Sequence, residues 1–421
     1  MKFLLKFALS FCLLIYACSG FSASLLIQMD ETQKNHLKAY GIAYWTLEKE
    51  YEIHWLLNYR GGSFLLPLNK SIQDECQIRG VSFTVLSDAS VAKIANEISS
   101  AEVNMDIMKL EKAPSIAVYT PKGKKPWDDA VTLALTYAEI PYDIVYDEEV
   151  MTGKLKSYDW LHLHHEDFTG QHGKFYASYR NMQWYKDEVR TNLERAKQFG
   201  FSKSSDLKKA VSQRIRDFVE AGGFLFAMCS ATDTFDISLA AGDTDICNHV
   251  FDGDPIDAHA QEKLDYSNTF AFTDFTLETN PFVYEFSDID VTLTRKLNRD
   301  EDYFSLFEFS AKWDPVPTML CQNHKNLIKG FMGQTTAFNK KLIKPGILIM
   351  GENKSAGEAR YIHGKHGKGT WTFYGGHDPE DYQHLVGDPP TDLDLKKTSA
   401  GYRLILNNVL FPAAKKKKRK T

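Results

Sequence analysis

The segment "GGFLFAMCSATDTF", residues 222–235, decides the fold. An apolar run leaves two glycines, reaches Cys229, and passes at once into small polar residues. Just upstream, "SSDLKKAVSQRIRDFVEAG" has the apolar spacing of an amphipathic helix. Helix, glycines, buried strand and sharp turn together make one repeat of a sheet whose parallel strands are joined by helices. Cys229 then stands at the carboxyl end of a strand, where such sheets gather their ligands. It is either a nucleophile or a small core residue.

The same alternation extends on both sides. "SIAVYT", "YDIVYD" and "DWLHLHH" read as earlier strands, and "GILIMGE" and "TWTFYGG" as later ones. "PWDDAVTLALTYAEI" reads as a helix opening on proline and two aspartates, as helix starts prefer. The expected fold is α/β, with a three-layer, mostly parallel sheet spanning residues 113–412. The stretch at about 236–341 has weak periodicity and reads as an insertion of loops and an antiparallel patch covering the sheet. Residues 25–112 read as a smaller α/β unit, with strands in "SLLIQMD", "EIHWLLNY" and "VSFTVLSD" and a helix in "ETQKNHLKAYGIAYWTLEKEY".

The opening 24 residues carry Lys2 and Lys6, an apolar run from Phe7 to Ala17, and small residues Ser22, Ala23 and Ser24. That is the order of a secretory signal, so the expected location is outside the cytoplasm, in the periplasm or cell envelope or secreted. "IYACS" offers Cys18 as an alternative lipid-anchored first residue. The 421-residue chain has a net charge of −5, and the basic tail at 413–421 contains a run of six Lys and Arg residues. The remaining body is therefore acidic, which argues against a specific nucleic-acid partner. The tail reads as a solvated end able to meet anionic lipid or polysaccharide. Four cysteines lie beyond the leader, Cys76, Cys229, Cys247 and Cys321. They are too few and too widely spaced for a disulfide framework.

Cysteine chemistry needs an oxyanion donor and a base. The amide of Ser230, directly after Cys229, is the candidate donor. "WTFYGGHDPEDYQH" ends a strand in two glycines and delivers His377, the candidate base, with Asp378 or Glu380 to orient it. "HLHHEDF" supplies a second set: His164, His165, Glu166 and Asp167 as cleft residues. On a strand His162 and His164 share one face, so a divalent metal is a rival reading of that segment. No cofactor is otherwise expected. "ICNHVFDGDPIDAHA" reads as turn chemistry.

"AMCSA" and "GGHDPE" resemble the class I glutamine amidotransferase-like superfamily, which includes ThuA-like proteins. In that group Gly-x-Cys-x-Gly and His-Pro-Glu carry the chemistry, which implies Cys229 and His377 with Glu380 here. Ala227 and Ala231 replace the glycines, and Asp378 stands between His377 and Pro379, so the carboxylate role could shift to Asp378. Nearly the whole chain, through "NHLKAYGIAYW", "WLLNYRGGSFLLP" and "FLFAMCSATDTFDI", also resembles exported bacterial proteins labelled asparagine synthetase B. Lys2 follows Met1 where a glutamine-dependent synthetase needs cysteine, and no Ser-Gly-Gly-x-Asp-Ser loop is found, so that mechanism is not implied. Three function classes follow: a cysteine-dependent amide hydrolase or amidotransferase, a ThuA-like metal-assisted or carbohydrate-related hydrolase, and a non-catalytic envelope protein binding a small molecule or carbohydrate.

Overall fold

A computed structural model describes residues 23–122, 129–383 and 388–414. The expected leader up to residue 22 and the basic run lie outside the described residues. The chain is α/β and builds two sheets. The first holds β1 (Ser24–Ile27), β2 (Ile53–Leu57), β3 (Ser63–Pro67), β4 (Thr84–Leu86) and β5 (Asp106–Leu110) in the order β4-β1-β3-β2-β5. Every pairing in it is antiparallel. Ser24, the last residue of the expected leader, already pairs with Pro67 and Leu86. At the other end Ala414 bridges Leu110, so the first residues of the expected tail belong to the folded body.

The second sheet contains β6 (Ile116–Tyr119), β7 (Asp143–Val145), β8 (Trp160–Leu163), β9 (Phe224–Met228), β10 (Tyr303–Leu306), β11 (Leu327–Lys329), β12 (Phe338–Asn339), β13 (Leu348–Asn353), β14 (Glu358–His366) and β15 (Gly369–Tyr374). Its order is β11-β10-β13-β14-β15-β9-β8-β6-β7, with β12 beside β14. From β15 to β7 all neighbours are parallel. From β11 to β15 all are antiparallel. The sheet is thus mixed, where the sequence suggested a mostly parallel one. The inserted stretch corrects that expectation: β10 and β11 extend the sheet edge to edge, because β10 pairs with β13 and β11 with β10 instead of lying over its face.

Eight longer helices are α1 (His36–Glu48), α2 (Lys70–Ile78), α3 (Asp88–Ser99), α4 (Ala130–Ala138), α5 (Gln183–Gln198), α6 (Ser204–Ala221), α7 (Ala231–Ala240) and α8 (Ala400–Leu410). Side chains alternate across the strands of the second sheet, so two cores form. Val118, Trp160, Phe226 and Met228 join α1, α4, α8 and the first sheet in one. Tyr119, Leu161, Leu163 and Ala227 join α6 and α7 in the other. Helix α1 is wedged between the units. A Cβ at Gly41 would stand 1.9 Å from the Ala138 carbonyl oxygen, so only glycine allows α1 to meet the end of α4 this closely. The wedge is also tied by polar bonds: Arg403 on α8 donates to the carbonyls of Met29 (3.0 Å) and Gly61 (2.7 Å).

Candidate active site

Cys229 leaves β9 with φ of 54°, in the left-handed region. For a residue with a side chain that conformation costs about 1–2 kcal/mol and persists only where the surroundings enforce it. Here they do. The Cys229 N–H donates to the Gly376 carbonyl at 3.2 Å, and the Ala231 N–H donates to the His164 carbonyl at 2.9 Å. The ends of β8, β9 and β15 are thereby laced together, and α7 starts directly beyond Ser230. Ser230 thus stands directly after the thiol, at the start of α7.

His377 arrives through Gly375 and Gly376. A Cβ on Gly375 would lie 2.4 Å from the Thr336 carbonyl oxygen, and Gly376 adopts φ of 98°. The His377 N–H donates to the Met332 carbonyl at 3.0 Å. His377 Nδ1 meets His164 Nε2 at 3.1 Å. The Cys229 thiol and one ring nitrogen from each of these histidines lie within 4.8 Å of one another. All three residues are buried. The structure therefore brings Cys229, Ser230, His377 and His164 together.

The two expected orienting carboxylates are engaged elsewhere. Asp378 accepts from the Tyr402 hydroxyl at 2.8 Å and from the Glu380 N–H at 2.8 Å, and burial pushes its carboxyl up. Glu380 forms an ion pair with Lys396 at 3.0 Å. The ring at hydrogen-bond distance from His377 is that of His164, a contact between distant strand ends that sequence spacing does not encode.

The other cleft candidates separate. His165 is exposed, its ring centroid 6.1 Å from that of His377. Glu166 accepts from the Tyr146 hydroxyl at 3.2 Å. Burial pushes its carboxyl up. It borders a polar cluster in which Lys208 donates to Tyr119 (2.8 Å) and Asp147 (3.1 Å). Asp167 closes a loop by accepting from the Thr169 N–H (2.7 Å) and Gly173 N–H (3.0 Å). In the downstream segment, Cys247 and Asp252 approach Asp245, and Lys203 pairs with both acids, at 2.5 Å from Asp245 and 3.4 Å from Asp252.

Two residues of the site escaped sequence reading. Asp129 caps α4, its Oδ1 accepting from the N–H groups of Val131 (2.7 Å) and Thr132 (3.0 Å). The same carboxylate faces His162 Nε2 at 3.4 Å and His164 Nδ1 at 3.5 Å. Burial opposes its charge, yet the two histidines hold its carboxyl below the usual range. An aspartate at a helix start reads as a cap, and the cap is real; its second duty carries no local signal. Asp233, one turn beyond Cys229 on α7, is fully buried and accepts from the Thr335 hydroxyl at 2.9 Å. Burial, and then the charge of Asp290, push its carboxyl well up.

No disulfide joins the four cysteines among the described residues. Burial pushes Cys76 up to about 12, and raises Cys247 and Cys321 as well, leaving all three inert.

No family model and no curated protein matches this chain. Solved structures similar to it include two described as cytoplasmic proteins from Salmonella typhimurium. Their identities are 10% and 14% and their TM-scores 0.33 and 0.32; each match covers 72% of this chain and all of the other. A GH42 β-galactosidase matches at 10% identity and a TM-score of 0.24, over 63% of this chain and 28% of its own.

Proposed function

We propose that the protein is a cysteine-dependent hydrolase or amidotransferase acting on a C–N amide bond, built on a fold of the class I glutamine amidotransferase-like type. The observation that carries this reading is the left-handed Cys229 turn with the rings of His164 and His377 within reach of its thiol. His377 takes the Cys229 proton, and the thiolate attacks the amide carbonyl. Negative charge collects on the carbonyl oxygen beside the Ser230 N–H. The C–N bond then breaks, the leaving amine takes the proton from His377, and an acyl thioester remains. Water releases it as an acid, or an acceptor amine releases it as a new amide. His164 acts on His377 by holding its ring, so it is a positioning residue. The secretory order of the leader supports an exported location, which intact-mass measurement of native protein tests: retention of residues 1–22 would rule it out.

Iodoacetamide labelling tests the chemistry. At about pH 6, where an ordinary thiol is protonated, Cys229 reacts ahead of Cys76, Cys247 and Cys321, and His377→Ala slows it about tenfold or more. Equal labelling of Cys229 and Cys321, unchanged by that substitution, would refute the nucleophile. Cys229 is only 4% exposed, which favours a second reading, a binding protein that retains the fold without catalysis. That same labelling result would select it.

A further inference from the structure

We infer that Asp129, His162 and His164 form a binding site for a single divalent cation of the zinc class. The three ligand atoms lie within 4.8 Å of one another, and all three residues are buried. His162 projects from β8 and His164 from the residue just beyond it, and Asp129 reaches them from the cap of α4. Its Oδ1 accepts from the helix and also faces His164 Nδ1 at 3.5 Å, while Oδ2 faces His162 Nε2 at 3.4 Å.

Spacing sets this cluster apart from an ordinary ion pair. A charge-assisted bond between imidazolium and carboxylate closes to about 2.7–2.9 Å. Here the approaches are 3.4 and 3.5 Å, and neither His162 Nε2 nor His164 Nδ1 has a hydrogen-bond partner although both are fully buried. Ligand atoms of an ion held by bonds of about 2.0–2.1 Å stand about 3.3–3.4 Å apart, the spacing at which His162 Nε2 faces Asp129 Oδ2, 3.4 Å. His162 Nδ1 lies 3.2 Å from the Phe226 carbonyl. That contact holds the ring through Nδ1 and turns Nε2 toward Asp129, the outer support metal-binding histidines characteristically have. A cation at this point would also balance the buried Asp129 carboxylate.

The test uses untagged full-length protein, stripped with a chelator and titrated with Co2+, whose visible absorption reports tetrahedral nitrogen and oxygen coordination. One ion per chain is expected. Binding weakens at least about tenfold in His162→Gln and in Asp129→Asn, which keeps the helix cap. Near-UV circular dichroism verifies that each variant is folded. Absence of Co2+ and Zn2+ binding by folded wild type, or equal binding by both variants, would overturn the site. Metal stoichiometry is read without any thiol chemistry, so failure of the site and failure of the nucleophile are separate results.

Discussion

Two clusters of ionisable side chains are buried in the second sheet, one in each half, and they differ in how completely they are paired. In the antiparallel half Arg295, Asp302, Glu358 and Arg360 balance two positive against two negative charges. Arg295 donates to Asp302 at 2.7 and 3.0 Å and to Glu358 at 2.7–3.1 Å, and all four carboxylate oxygens accept a bond. Arg360 adds bonds to Asp302 and, at 2.6 Å, to the Phe331 carbonyl. In the parallel half Asp129, His162, His164, His377 and Cys229 are as deeply buried, yet the approaches of Asp129 to the histidines are long and neither His162 Nε2 nor His164 Nδ1 has a hydrogen-bond partner, whereas in the first cluster Arg360 Nε alone lacks one. The first cluster, its carboxylates fully engaged, holds strands together; the second is the less completely paired.

Substitution separates the two most sharply. Asp302→Asn leaves a buried guanidinium uncompensated and is expected to cost about 3–5 kcal/mol in denaturant unfolding. Asp129→Asn keeps its cap and removes a charge whose partners are poorly placed, so it costs about 1 kcal/mol or less. Equal losses would dissolve the distinction.

Buried histidines outside both clusters set the background, and pH exposes it. His363 on β14 contacts the Thr372 hydroxyl at 3.0 Å, and burial lowers its pKa to about 3. The unfolded chain binds this proton below about 6.5 and the folded chain does not, so stability falls as pH drops from there toward 3. At about pH 5 the loss from His363 alone is about 2 kcal/mol, and His363→Gln removes that part of the slope. An unchanged slope would show that His363 is protonated in the fold.

The smallest expected effect lies at the turn itself. Cys229→Gly relieves the left-handed strain and gives up little packing, so it stabilises by about 1 kcal/mol while removing the thiol. A loss of stability would mean that Cys229 serves packing first.

Reading the sequence by periodicity located the parallel half, because each of its strands ends in a turn signal and is followed by a helical pattern. It also located Cys229 and His377, since glycines and small residues mark the turns that carry them. It did not locate β10 and β11 within the sheet: strands of four and three residues leave too short a pattern. The orienting group was misplaced for a different reason. Asp378 and Glu380 are adjacent to His377 in sequence, but α8 and Lys396 draw them away, whereas His164 approaches from another strand. Which polar atoms meet across strand ends is decided by register and twist, and neither leaves a mark on local composition.

The bond from Arg403 to Met29 spans 374 residues, and that between Tyr40 and Asn407 spans 367. The first unit to emerge from the ribosome is therefore completed by the last long helix to be made. Contacts of such separation slow folding, because their loop must close before they contribute. A nascent chain halted before α8 would hold α1 with one flank bare, open to capture by chaperones or proteases. Excising either unit would expose the same surface, so expression of residues 23–112 alone should yield aggregate instead of a small folded domain.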